Sequence, residues 1–248
     1  MSALLEVRGL RRRFGGLKAV DGVDLSVAPG ERRAVIGPNG AGKTTLFNLV
    51  TGYLRPDGGT VTFQGQDITG LPTHRVARAG IGRAFQITSI FPGLTVAENA
   101  QLGVMARERQ TARVLGDARG LHREEVAELL DDVGLAESGG ERAGNLSHGD
   151  QRALELAISL ALKPALLLLD EPTAGMAPAE TTRTMQLIRR IAAERGLTLL
   201  FCEHDMEVVF GTADRILVMH QGTPLAEGTP DEVRAHPEVI QAYLGGAA

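Results

Sequence analysis

Between residues 5 and 63 apolar and polar positions alternate in short runs broken by turn residues: "LEVRGLRRRF", "VDLSVAPGE" and, after the Pro-Asp-Gly-Gly turn at residues 56–59, "GTVTFQGQD". A period of two marks strands with one buried face, and runs this closely spaced predict an antiparallel sheet. "RRAVI" lacks the alternation and reads as a strand covered on both faces. From about residue 87 to 145 the period lengthens. In "TVAENAQLGVMARER" and "HREEVAELLDDVGL" apolar residues recur three and four apart, which predicts an α-helical insertion. After residue 147 the order is helix, strand "PALLLLDEP", helix "PAETTRTMQLIRRIAAERG", strand "LTLLFCEHD", helix, strand "RILVMHQG". That alternation belongs to a parallel sheet with crossover helices. Near the end, Thr229 followed by Pro230 and Glu232 forms a capping signature that opens a short final helix, and no C-terminal regulatory domain is expected. No internal repeat or low-complexity tract interrupts the pattern.

Size and charge narrow the picture. At 248 residues the chain can bury a sizeable core and sits near the upper limit for one domain. Lys and Arg total 26 against 30 Asp and Glu, a net charge of −4, and the one concentrated basic run is Arg11, Arg12 and Arg13. This is a solvated strand edge, and no nucleic-acid partner is expected. The single cysteine, Cys202, lies in the apolar run "LTLLFC", can form no internal disulfide, and reads as a small buried hydrophobe. The N-terminus lacks a charged head followed by an apolar signal core, and the longest aliphatic run, "ALLLL", is far too short to span a bilayer. If the protein serves a membrane, another chain supplies the spans.

The sharpest chemical signal is "GPNGAGKTT", formed by Gly37, Pro38, Asn39, Gly40, Ala41, Gly42, Lys43, Thr44 and Thr45, between the strand "RRAVI" and a helical run. Glycines let successive backbone N–H groups converge on phosphate oxygens, and the helix N-terminus favours an anion. Lys43 is expected to reach the β- and γ-phosphates of ATP, and the Thr44 hydroxyl to hold Mg²⁺. A phosphate-bound metal needs a carboxylate, which Asp170 offers at the end of "LLLLD"; Glu171, pointing elsewhere, is the expected general base.

"NLSHGDQRALELA" places Ser147, His148 and Asp150 at the start of a helical run. Residues this close at a helix start diverge, so they cannot form the hydrogen-bonded line of a Ser-His-Asp triad. Ser147 is expected to cap the helix with Asp150 at its third position.

"LSHGDQR" resembles the signature sequence of ABC-type ATPases, usually LSGGQ, with His148 in place of the first glycine and Asp150 in place of the glutamine. Around it stand, in that family's order, Phe14 on an early strand, the phosphate loop, Gln86 in "AFQ", the "LLLLDE" strand, the loop "TAGMAP" and His204 in "CEHDM". The likeness runs from about residue 5 to 244. It implies an α/β P-loop NTPase with a RecA-like parallel sheet core, an N-terminal antiparallel β subdomain and an inserted α-helical subdomain. Residues 1–248 then form one domain, divided into 1–86 (β subdomain and phosphate loop), 87–148 (helical), 149–228 (remaining core) and 229–248 (final helix).

The resemblance also assigns roles: Phe14 stacks on adenine, Gln86 touches Mg²⁺ and water, and His204 contacts the γ-phosphate and orients the water. Ser147 and Gly149 meet the ATP held by a second subunit. In "TAGMAP", residues 174–177 depart from the family's commoner Ser-Ala-Leu-Asp. "LSHGDQRALELA", "LLLLDEPTAGMAP", "EHDMEVVFGTADRI" and the ending "AYLG" are most similar to ATPase subunits of branched-chain amino-acid importers. A peripheral subunit on the cytoplasmic face of the inner or plasma membrane is implied, with two permease chains, a second ATPase subunit, identical or not, and indirectly an extracytoplasmic binding protein. "ITSIFPGLTVAENAQLG" is where such a chain receives a permease. A urea or short-amide importer, or a lipid or lipopolysaccharide exporter, would use a closely similar subunit; a DNA-repair or translation ATPase would need a coiled-coil insertion or second cassette that is absent.

Overall fold

The computed structural model describes residues 3–84, 90–108 and 121–241. Strands β1 (Leu5–Phe14) and β2 (Leu17–Val27) form a hairpin. Its two-residue turn begins at Gly15, held at φ +57°, a conformation that hairpin turns require and side chains resist. β3 (Arg32–Ile36) leads through the glycine-rich loop into α1 (Lys43–Val50), followed by β4 (Gly58–Phe63) and the short β5 (Gln66–Asp67). β2, β1, β4 and β5 are the four-stranded antiparallel sheet expected at this end of the chain.

Next come α2 (Thr73–Ala79), β6 (Ile81–Ala84), α3 (Val96–Arg107), α4 (Arg123–Asp132), α5 (His148–Ala161) and β7 (Leu166–Asp170). The chain continues through α6 (Pro178–Arg195), β8 (Thr198–Cys202), α7 (Met206–Thr212), β9 (Arg215–His220), β10 (Thr223–Gly228), α8 (Pro230–Ala235) and α9 (Pro237–Val239). A six-stranded sheet in the order β10-β9-β3-β8-β7-β6 forms the centre. All its pairings are parallel except that of β10, which returns antiparallel along β9. Every residue of β7 and β8 is buried, as the unalternating runs require.

Alternate positions of the central strands serve two apolar layers. Val35, Leu166 and Leu168 pack with α1 and the antiparallel sheet. Ala34, Ile36, Leu167 and Leu169 pack with α3, α4, α5 and α6. Within the helical layer Gly103 of α3 permits close crossing with α5: a Cβ there would lie 2.8 Å from that of Ala161 and 2.9 Å from the Ile158 carbonyl oxygen. α2 and β10 carry no signal in the hydrophobic pattern. α2 has one buried residue, Val76, and β10 is an edge strand where Pro224 forfeits nothing. Among the described residues no helix is long and apolar enough to cross a membrane.

An ion cluster ties three helices together. Arg107 Nη1 and Nη2 both donate to Glu125 at 2.8 Å, Lys163 Nζ lies 2.8 Å from the same carboxylate, and Arg107 also donates to the Ala161 carbonyl. Chiefly through the Arg107 hydrogen bonds, and less through Lys163, the Glu125 carboxyl is lowered from 4.5 to about 2. A folded value below the unfolded one stabilises the protein above about pH 4.5, and the gain disappears as pH falls towards 2. Glu125→Gln therefore lowers the melting temperature at pH 7 by about 2–4 °C, the size expected for about 1 kcal/mol in a chain of this length. Melting curves across pH check this: the gap from the wild type closes between pH 4.5 and 2.

Candidate functional site

The glycine-rich loop is shaped by contacts that leave no room for side chains. A Cβ on Gly37 (φ +153°) would lie 2.2 Å from the Met219 carbonyl oxygen, and one on Gly42 (φ +101°) 2.2 Å from that of Ala19. The loop is thus pressed against β9 and β2, and Gly42 is the N-cap of α1. The first N–H groups of α1 have no partner within the helix and carry its positive end. Lys43 is buried and folds back over the loop, its Nζ donating to the carbonyls of Gly37 at 2.6 Å and Pro38 at 3.2 Å.

Phe14, Asn39, Gly40, Ala41, Gly42, Lys43, Thr44, Thr45 and Glu171 line one cleft of about 270 Å³ together with Leu17 and Ala19. Residues far apart in sequence are thereby gathered around the loop. Phe14 lies 45% exposed, with the Arg12 guanidinium 5.0 Å from its ring centroid. Leu17, 67% exposed, widens this apolar platform; sequence reasoning missed it, because a leucine just after a glycine turn reads as an ordinary strand residue.

At the other wall Glu171 Oε1 and His204 Nε2 are 2.7 Å apart. An ionised carboxylate can only accept, so in this arrangement the imidazole proton sits on Nε2. Glu171 has φ +53°, a left-handed conformation costing roughly 1–2 kcal/mol in a non-glycine residue. Its carboxylate meets His204, whereas that of Asp170 meets Arg83.

Asp170 closes β7, buried, with Oδ2 accepting from Arg83 at 2.7 Å. Arg83, on β6, also donates to Asn48 Oδ1 of α1 at 2.7 Å and to Oγ1 of Thr51, the residue that caps the C-terminus of α1, at 3.1 Å. This fork was not anticipated, and nothing around Arg83 in the sequence marks it. Among the described residues no cluster of three or more His, Cys, Asp or Glu could hold a metal unaided. A lone carboxylate and a hydroxyl beside a phosphate cradle do fit Mg²⁺ that arrives with phosphate and keeps several waters. Cys202, beneath this wall, is buried, and desolvation pushes its thiol well above its ordinary value, leaving a neutral packing group.

Ser147 and Gly149 do not join this cleft; they line a separate one of about 220 Å³ with Asp150, Arg152, Glu180 and Arg183. Ser147 caps α5 as expected: its Oγ accepts from the Asp150 N–H at 3.2 Å and donates to Asp150 Oδ2 at 2.7 Å. Gln86 lies outside the described residues. Just beyond it Phe91 is exposed.

The family model described as "ABC transporter" matches residues 20–174. A second, described as "Branched-chain amino acid ATP-binding cassette transporter", matches residues 223–248. The chain is 44% identical to the high-affinity branched-chain amino acid transport ATP-binding protein LivG of Escherichia coli K12, with 98% of both chains covered. Identity and coverage are the same for BraF of Pseudomonas aeruginosa, which carries the same description. Among solved structures, the ADP conformation of an ATP-binding cassette of an ABC transporter superposes with a TM-score of 0.86 at 31% identity, covering 99% of this chain and all of the other. Matched by the family model over most of its length and by its relatives almost from end to end, this chain belongs to the ABC transporter family, among its ATP-binding proteins.

Proposed function

We propose that the chain is the ATP-hydrolysing subunit of an importer of branched-chain amino acids. The observation that carries the hydrolytic part is the Glu171–His204 pair, 2.7 Å apart, at the wall of the cleft that holds the phosphate loop. The substrate class is supported by the 44% identity to LivG and BraF and by the match over residues 223–248.

In this reading adenine stacks on Phe14 and the triphosphate lies along residues 37–45, its charge met by Lys43 and the N-terminus of α1. Mg²⁺, when bound, would neutralise phosphate charge between Thr44, Asp170 and Gln86. Glu171 takes the proton of the attacking water as its oxygen bonds to the γ-phosphorus and the bond to ADP breaks. His204 holds Glu171 Oε1 through Nε2 in the nucleotide-free chain; with ATP bound, that N–H would turn to the γ-phosphate and the ring would orient the attacking water. Ser147 and Gly149 complete the site of a second ATPase subunit, their position in a separate cleft of the single chain supporting an arrangement in trans. The whole chain, with the four segments drawn above, works as one unit on the cytoplasmic face of the membrane. Two permease chains dock near the exposed Phe91, and an extracytoplasmic binding protein delivers the substrate to them.

A shared site makes turnover depend on pairing. Phosphate release per chain is expected to fall on dilution, in step with loss of crosslinked pairs. Constant specific activity at dilutions where no pair can be captured would reject the composite site. Vesicles holding the chain with its permeases are expected to take up leucine on addition of ATP; uptake of urea instead would move the substrate class.

A further inference from the structure

Glu203 is a carboxylate with 3% of its surface exposed, immediately before His204, and the roles described so far do not use it. Its Oε1 accepts from both the N–H and the hydroxyl of Thr173, at 2.9 and 2.7 Å. Its Oε2 accepts from the His204 N–H at 3.1 Å. Thr173 is itself buried and stands two positions after Glu171. One side chain therefore clasps the turn that follows β7 and the turn that follows β8. Two other ties cross between the same turns: the Glu171 N–H donates to the Cys202 carbonyl at 3.1 Å, and the Glu171 and His204 side chains meet at 2.7 Å.

A strained backbone persists only where its surroundings over-determine it. Glu171 is such a residue, at φ +53°. Without Glu203 the Thr173 N–H and hydroxyl lose these partners, and the left-handed turn keeps the backbone hydrogen bonds from the Glu171 N–H to the Cys202 carbonyl and from the Ala174 N–H to the Glu171 carbonyl. We propose that Glu203 is a positioning residue for hydrolysis: by gripping Thr173 and His204 at once it fixes the Glu171 carboxylate against the imidazole. Only a carboxylate suits the place. Three donors converge on its two oxygens, and an amide would turn one of its own N–H groups towards another donor. This inference rests on the hydrolytic reading above and adds to it the residue that aligns the pair.

The test uses the full chain with nitrogen-15-labelled histidine, His204→Ala identifying the His204 signals. Glu203→Gln is expected to shift the His204 ring resonances, lower kcat about 10-fold and leave nucleotide affinity within about twofold, because a small misalignment of reacting groups is costly. Thr173→Val, which removes only the hydroxyl, is expected to move both readouts the same way by less, and it serves if Glu203→Gln does not fold. Adding Glu203→Gln to Glu171→Gln is expected to slow turnover no further, since the two act as a unit. Unmoved His204 signals with unchanged kcat in both single variants would overturn the proposal. So would a lowered melting temperature with normal kcat and signals, or fully additive losses with Glu171→Gln. A wild-type chain that binds ATP without cleaving it would sink the hydrolytic reading, while the His204 signals would still decide whether Glu203 positions that ring.

Discussion

Replacing Glu171 by Gln slows ATP turnover by about 10²-fold or more and leaves ATP affinity within about twofold, as expected for loss of a general base. The two effects separate because the amide keeps the size of the carboxylate and removes only its basicity. Glu171 lines the cleft but lies outside the glycine-rich loop, so binding through Lys43 and α1 is untouched. Phosphate release and equilibrium nucleotide binding, measured on the same preparation, check the result. Turnover equal to that of the wild type would place the base on another residue. His204→Ala provides the companion measurement: its Nε2 meets the same carboxylate, so its effect and that of Glu171→Gln are expected to be strongly non-additive.

The second large effect is on binding. Lys43→Ala is expected to weaken ATP binding by about 10- to 10²-fold, the range of a charge-assisted hydrogen bond to phosphate. In the free protein Lys43 is satisfied by the Gly37 and Pro38 carbonyls, so its ammonium is already aimed along the loop. A thermal shift assay reads the outcome. At ATP one hundred times above the dissociation constant, the wild type gains about 2.7 kcal/mol, or about 5–10 °C for a chain of this length. The variant at the same concentration is expected to gain about half of that or less while melting within a few degrees of the wild type without nucleotide. A full ATP-induced shift in the variant would show that the loop binds without its lysine.

What the sequence makes visible depends on how its information is laid out. The phosphate loop is contiguous: strand, glycines, Lys43, Thr44 and helix fall within a short window, and each residue type has a physical reason to stand there. The buried strands β7 and β8 and the helix starts at Ser147 and Thr229 are similarly local, because side-chain caps act over three residues. Joining Phe14 to Glu171 in one cleft takes the whole fold, and the role of Phe14 was legible only through likeness to a family. Arg83 and Asp170, or Glu203 and Thr173, give no local sign. Each pair is far apart in the chain and built from residue types with many uses, so only the register of β6 with β7 and of β7 with β8 brings them together. α2 and β10 were missed for the opposite reason: both are short, and packing against neighbours holds them more than any preference of their own.

The alternation along β7 makes adjacent core positions answer to different machinery. Leu168 shares its layer with Leu46 and Phe47 behind the phosphate loop, whereas Leu167 and Leu169 share theirs with Leu154 and Leu156 of α5. Hollowing out Leu168 loosens the seat of the nucleotide; hollowing out its neighbour slackens the support of the helix that Ser147 caps. One strand thus acts as a party wall, and damage a single residue apart is felt in different rooms.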